Sequence, residues 1–377
     1  MVMEKVINKG LEGVVITASS LTSIDGQVGK LMYRGYLIGE LAEHGTYEEV
    51  VWLLLNGELP TASQLDAFRA ELADQRTVPD GIVQMLRMLP QGADSMAALR
   101  TAVSMLAVYD AEAEDLSAEA NRRKAVALTA KMATIVAAFE RVRTGHEPVA
   151  PRKDLSHAAN FLYMLTGQEP DATSAHIFDI CLILHADHEM NASTFSARTT
   201  ASTLSDVYSA ITSAVGTLKG SLHGGANARV MEMLQQVGGP ENAETWIKDA
   251  LANKKRVMGF GHRVYKTEDP RATVLRKLSK ELGERLGTPQ WYQISRTVEQ
   301  EVLAQKNLYP NVDFYSASTY FMMGIKTDLY TPIFALSRIA GWTANLLEQY
   351  ADNRLIRPDS DYVGPRERSY VPMGQRA

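Results

Sequence analysis

The chain has 377 residues, 45% of them hydrophobic and 22% charged, enough for a sizeable core spread over about two or three domains. A net charge of −5 and a pI near 6.0 exclude general binding to nucleic acid or an anionic membrane, and leave room only for local basic pockets. The one cysteine, Cys181, excludes an intramolecular disulfide and fits a reducing, cytoplasmic compartment. The opening MVMEKVINKG carries acid and no apolar stretch, so it reads as no signal peptide. The most hydrophobic run, Val50–Leu55, is far short of the ~20 residues that cross a membrane.

Strand signals gather at the start. Val14–Thr17, Leu21–Ile24 and Leu31–Tyr33 alternate, and Asp25-Gly26 is a turn. A small N-terminal hairpin is therefore predicted on an otherwise all-α protein. Thr46-Tyr47-Glu48-Glu49 is a capping box, and Gly57 and Pro60 close the helix that it opens. Thr61 and Gln64 repeat the box, with Leu65, Phe68 and Leu72 on one face. Met96, Leu99, Val103 and Leu106 form another stripe. Ser117–Arg143 reads as one long helix ending at Gly145, and Asp171–Leu184 as a buried helix that holds Cys181. Three later helices open on proline: Asp269-Pro270, Thr288-Pro289 and Thr331-Pro332. The last runs through Ile333, Leu336, Ile339 and Leu346 to about Gln349. The glycines Gly216, Gly220, Gly224 and Gly225 suggest a boundary. The expected division is a large helical domain over 1–222, a smaller one over 223–324, and a return to the first over 325–377. Beyond Arg357 the prolines and charges indicate an extended arm.

Histidine is scarce, at 8 of 377 residues, yet four lie in three short segments: LHADHEMN, SLHGGAN and GFGHRVYKTEDPR. Two of them sit against glycine, which lets backbone approach a small ligand. His185 and His188 are three apart and would share a helix face. No third ligand accompanies them, so no metal site is expected, and His185 reads as a satisfied core histidine. His188 has polar neighbours and is open to a ligand role. His223 precedes two glycines and a helix starting at Ala226. It is either a cap or a neutral imidazole that donates a hydrogen bond to a carbonyl oxygen. His262 lies among Lys255, Arg256, Lys266 and Arg271. That basic run is either a solvated loop or, with Gly259 and Gly261, a place for a phosphate-bearing ligand. Asp313, in NVDFYS, is either a turn residue or a desolvated base. Arg338 is embedded in an apolar helix and needs an acid or an anionic ligand. With Arg357 it suggests a small polycarboxylate substrate.

The four segments, in this order and spacing, resemble the citrate synthase family. The likeness extends from GLEGVVITASSLTSIDGQVGKLMYRGY to the RLIRPDSDYVG tail. It implies the two-domain helical citrate synthase fold. It implies condensation of acetyl-CoA with oxaloacetate, then hydrolysis of citryl-CoA to citrate and CoA, the first step of the tricarboxylic acid cycle. The 2-methylcitrate synthases, which use propionyl-CoA, share the same motifs. His223 matches the donor to the thioester oxygen, Asp313 the base for the methyl proton, and His262 the histidine on the ketone of oxaloacetate. His188, Arg271, Arg338 and Arg357 match oxaloacetate-binding residues, Arg357 reaching a partner's site. Lys255, Arg256, Val257, Met258, Gly259 and Lys266 match the stretch that meets coenzyme A. No metal or redox cofactor is implied. The larger family type has an extra N-terminal domain with no counterpart here. A simple homodimer is therefore expected, without that type's hexamer or NADH inhibition.

Overall fold

A computed structural model describes residues 7–376. The first six residues of the opening stretch and Ala377 lie outside that range. The expected hairpin is present as β1 (Thr22–Asp25) and β2 (Lys30–Tyr33), antiparallel, with Thr22 opposite Tyr33 and Asp25 opposite Lys30. Two corrections apply. Val14–Thr17 is not a strand, because it has no ladder partner among the described residues, and Val15 stands 88% exposed. A third strand, β3 (Tyr36–Leu37), pairs with β2. It follows a tight turn in which Arg34 and Gly35 both take positive φ, as a two-residue hairpin requires.

The rest is helical. The first group is α1 (Ile38–His44), α2 (Tyr47–Asn56), α3 (Ala62–Asp74), α4 (Asp80–Met88), α5 (Ser95–Leu106) and α6 (Ala118–Arg143). Next come α7 (His157–Thr166), α8 (Ala172–His185), α9 (Ala192–Ala201) and α10 (Val207–Leu218). Then follow α11 (Ala226–Val237), α12 (Pro240–Ala252), α13 (Pro270–Arg285), α14 (Gln290–Lys306), α15 (Val312–Met322) and α16 (Tyr330–Ala351). Both capping boxes form as expected, at Thr46–Glu49 and Thr61–Gln64. Pro270 does open α13, but Pro289 precedes α14 and Pro332 is the third residue of α16. First-turn N–H groups have no acceptor within the helix, so proline is tolerated at any of these positions.

Helix α16 is the axis on which the first helices pack. It packs on α6, α9, α10, α2 and α8, and Trp342 and Arg338 on it are buried. Gly341 makes its close approach possible. Its N–H donates to the carbonyl of Ala186, and a Cβ there would lie 2.3 Å from Asp187 Oδ1 and 2.4 Å from Ala186 O. Helices α11 to α15 form a second group, with α13 on α15, α12 on α14, and α11 on both α14 and α15. Past Ala351 the chain is irregular and exposed, apart from a short turn at Met373–Gln375. Among the described residues no helix is long and apolar enough to cross a membrane.

Candidate active site

His185 and His188 do not share a helix face. α8 ends at His185, and His188 lies beyond it in a corner whose next residue, Glu189, has φ +53°. The N-terminal sheet holds that corner. Tyr33 Oη donates to Asp187 O (2.8 Å) and accepts from Asp187 N–H (3.2 Å), while Thr22 Oγ1 donates to Asp187 Oδ2. His185 is a core histidine, as expected, but only half satisfied. Its Nδ1 meets Cys181 O at 2.6 Å, and among the described residues its buried Nε2 has no partner. His188 is buried, with Nε2 3.2 Å from Tyr265 Oη.

His223 is not a helix cap. The cap of α11 is Gly225 at φ +74°, and Gly224 lets the turn fold tightly, since a Cβ there would lie 2.0 Å from Leu218 O. The ring points at the start of α9. Its Nε2 accepts from Ser193 N–H (3.3 Å) and lies 2.7 Å from Ser193 Oγ, which accepts from Trp342 Nε1 (3.1 Å). A backbone N–H can only donate, so Nε2 is unprotonated and the ring proton sits on Nδ1.

His262 follows the same logic with the nitrogens exchanged. Its Nδ1 accepts from the N–H groups of Val264 (3.0 Å) and Tyr265 (3.3 Å), which leaves the proton on Nε2. Asp313 is neither turn nor cap. Asn311 caps α15, and Asp313 is the second residue of that helix. One short pairing joins the two segments. Gly261 N–H donates to Tyr309 O, Asn311 N–H donates to Gly259 O, and Phe260 bridges Pro310. Gly259, at φ +82°, fits only without a Cβ, which would lie 2.8 Å from Val230 and 2.9 Å from Phe314.

Burial dominates the charge states. It lowers His223 and His262 to about 4 each, helped by Arg338 and Arg271 respectively. His188 falls well below its usual range through burial, Arg271, His262 and Arg338. All three rings are therefore neutral at pH 7. Burial also raises Asp313 to about 6, against the pull of Arg271 and Arg338.

Arg271, in the first turn of α13, is gripped by Asp269 through Nε–Oδ1 (3.0 Å) and Nη2–Oδ2 (2.8 Å). Arg338 is 1% exposed and stacks on Phe334 at 4.6 Å. Its Nε donates to His185 O (2.7 Å), and among the described residues its Nη groups have no hydrogen-bond partner. Burial lowers it to about 10. These charges act on His188, His223, His262 and Asp313, so the structure gathers six of the expected residues. Arg357 is not among them. It lies exposed on the tail, paired with Asp359. Lys255, Arg256 and Lys266 are exposed and Val257 and Met258 partly buried, on the segment before and after Gly259. A cavity of about 280 Å³ beside them is lined by Gly261, His262, Lys266, Asn307 and Tyr309. Among the described residues no three of His, Cys, Asp or Glu converge as a metal site.

Ser193, Trp342, Tyr265, Asp187 and Asp269 escape a reading of the sequence. Only Asp269 left a signal, as an acid two residues before Arg271.

The family model for the citrate synthase C-terminal domain matches residues 10–359. Citrate synthase from Haloferax volcanii is 53% identical over 98% of this chain and 99% of its own. A 2-methylcitrate synthase from Mycobacterium tuberculosis is 41% identical over 96% and 92%. The crystal structure of citrate synthase from Pyrobaculum aerophilum superposes with a TM-score of 0.93 at 43% identity, covering 98% of this chain and 95% of that one. The Thermoplasma acidophilum enzyme, in ternary complex with carboxymethyl coenzyme A and oxaloacetate, gives 0.92 at 35% identity, covering 99% and 100%.

Proposed function

The chain belongs to the citrate synthase family, and from that premise we propose how its residues divide the work of condensing acetyl-CoA with oxaloacetate. The Asp313 carboxylate takes a proton from the acetyl methyl group. His223 Nδ1–H donates to the thioester oxygen as it gains charge. The enol carbon attacks the ketone carbon of oxaloacetate, and His262 Nε2–H stabilises the oxygen that becomes the hydroxyl. Water then cleaves the citryl thioester, giving citrate and free CoA. Arg271, Arg338 and His188 hold the oxaloacetate carboxylates. The observation that carries this reading is the pair of filled ring nitrogens. Backbone N–H groups occupy His223 Nε2 and His262 Nδ1, so each neutral ring has its N–H on the other nitrogen.

The basic stretch Lys255–Gly259 and Lys266 receives coenzyme A, with the cavity beside His262 as part of that site. Residues 223–324 act as a lid, and the mutual packing of α11 to α15 supports a unit that moves as one body. Closure keeps water from acetyl-CoA until the carbon–carbon bond has formed. The expected products need no metal or redox cofactor. The place of work is the cytoplasm, at the entry to the tricarboxylic acid cycle. Higher identity to a citrate than to a 2-methylcitrate synthase supports acetyl-CoA as the acyl donor.

A thiol-release assay tests this reading. Free CoA should appear only with both acetyl-CoA and oxaloacetate present, and faster than with propionyl-CoA. A higher kcat/KM for propionyl-CoA would overturn the choice of donor.

The assembly is a homodimer in which Arg357 completes the partner's site. Its distance from the cluster supports this, as do exposed apolar side chains on the same tail, Leu355, Tyr362 and Val363. Subunits carrying Asp313→Ala and subunits carrying Arg357→Ala should each be weakly active alone. Refolded together in equal amounts they should recover about a quarter of normal activity, because half the dimers are mixed and each has one intact site. If mixing restores nothing, Arg357 serves its own subunit.

A further inference from the structure

We propose that Tyr265 is a positioning residue that fixes the proton arrangement of His188 and His262 together and so tunes the grip on the keto-diacid. It belongs to the loop that carries His262, and it reaches His188 on the other body. Its main-chain N–H fills His262 Nδ1 at 3.3 Å, and its hydroxyl meets His188 Nε2 at 3.2 Å. The three rings form one cluster, with centroids 4.8 Å apart for Tyr265 and His262, 5.6 Å for Tyr265 and His188, and 5.2 Å for the two histidines. Tyr265 is 4% exposed, and among the described residues its hydroxyl has no other hydrogen-bond partner.

The direction of that bond follows from the chemistry. A phenol is a better donor than a neutral imidazole N–H, and an imidazole nitrogen is the better acceptor. The hydroxyl therefore donates, Nε2 of His188 is unprotonated, and its ring proton sits on Nδ1. Without the hydroxyl, His188 could take either tautomer, and only one suits a carboxylate.

The inference rests on the reading of His188 as an oxaloacetate contact, so the test separates the two. Oxaloacetate Kd is measured by calorimetry for the wild type, Tyr265→Phe, His188→Ala and the double variant. Tyr265→Phe keeps the ring and its packing, and should weaken binding about three- to tenfold. In the His188→Ala background the same change should have no further effect. The KM for acetyl-CoA at saturating oxaloacetate should stay at the wild-type value, whereas a loosened loop would raise it too. If His188→Ala leaves Kd unchanged, the reading of His188 fails. If His188→Ala weakens binding but Tyr265→Phe has no effect, or the two effects simply multiply, the role assigned to Tyr265 fails.

Discussion

Asp313→Ala should cut CoA release by about 10²- to 10⁴-fold, the range that a placed proton acceptor contributes, while oxaloacetate binding remains measurable. The base acts only when ionised, and burial holds its pKa near 6. For the wild type, kcat/KM for acetyl-CoA should therefore fall as pH drops through about 6. The neutral histidines at about 4 titrate too low to produce that limb. The sign for stability is opposite to that for activity. A carboxyl whose folded pKa lies above its unfolded value binds more protons when folded, so its contribution to stability is lost as pH rises toward 6. Asp313→Asn should therefore be as inactive as the alanine variant, yet melt at pH 7 no lower than the wild type. An alanine variant with normal turnover would remove Asp313 from the reaction.

Arg338→Gln should weaken oxaloacetate binding by at least about 30-fold, the lower end of the 2–5 kcal/mol lost when a buried charge pair loses one partner. The arginine is costly to bury, and among the described residues only its Nε is bonded. A dianionic ligand would supply acceptors for its Nη groups. The same substitution removes the positive charge that acts on the Asp187 carboxyl. That carboxyl is fully buried, its Oδ1 has no hydrogen-bond partner among the described residues, and burial already raises its pKa. Some loss of thermal stability should therefore accompany the loss of binding. Arg338→Lys should not restore either, because an ammonium cannot both donate to His185 O and present a planar fork. Calorimetry with oxaloacetate decides the matter, and an unchanged Kd would show that the charge has a purely structural role.

Local rules carried the fold a long way, because helix ends are written in short-range chemistry. Thr46 with Glu49, Thr61 with Gln64, Asp171 and Asp269 all cap the helices expected of them. The misses have non-local causes. Val14–Thr17 has the composition of a strand but nothing to pair with, and composition cannot report a missing partner. α8 stops before His188 because Tyr33 and Thr22, more than 150 residues away, engage Asp187 there. The site shows the same division. Glycine-flanked histidines and a buried arginine are conspicuous in sequence. Ser193 and Tyr265 are ordinary residues whose importance lies in which ring nitrogen they meet, and that is visible only after folding.

The Phe260–Pro310 pairing has a consequence for how this protein tolerates change. Between its two strands of chain lie α13, α14 and the turn at Gly287, and the spacing of His262 from Asp313 is set locally by two main-chain hydrogen bonds. The intervening loop tip, where Leu286 is 44% exposed, can therefore lengthen without disturbing that spacing. Insertions for tagging or domain fusion belong there, and a single added residue between Gly259 and Gly261 would do more harm than a dozen at Gly287.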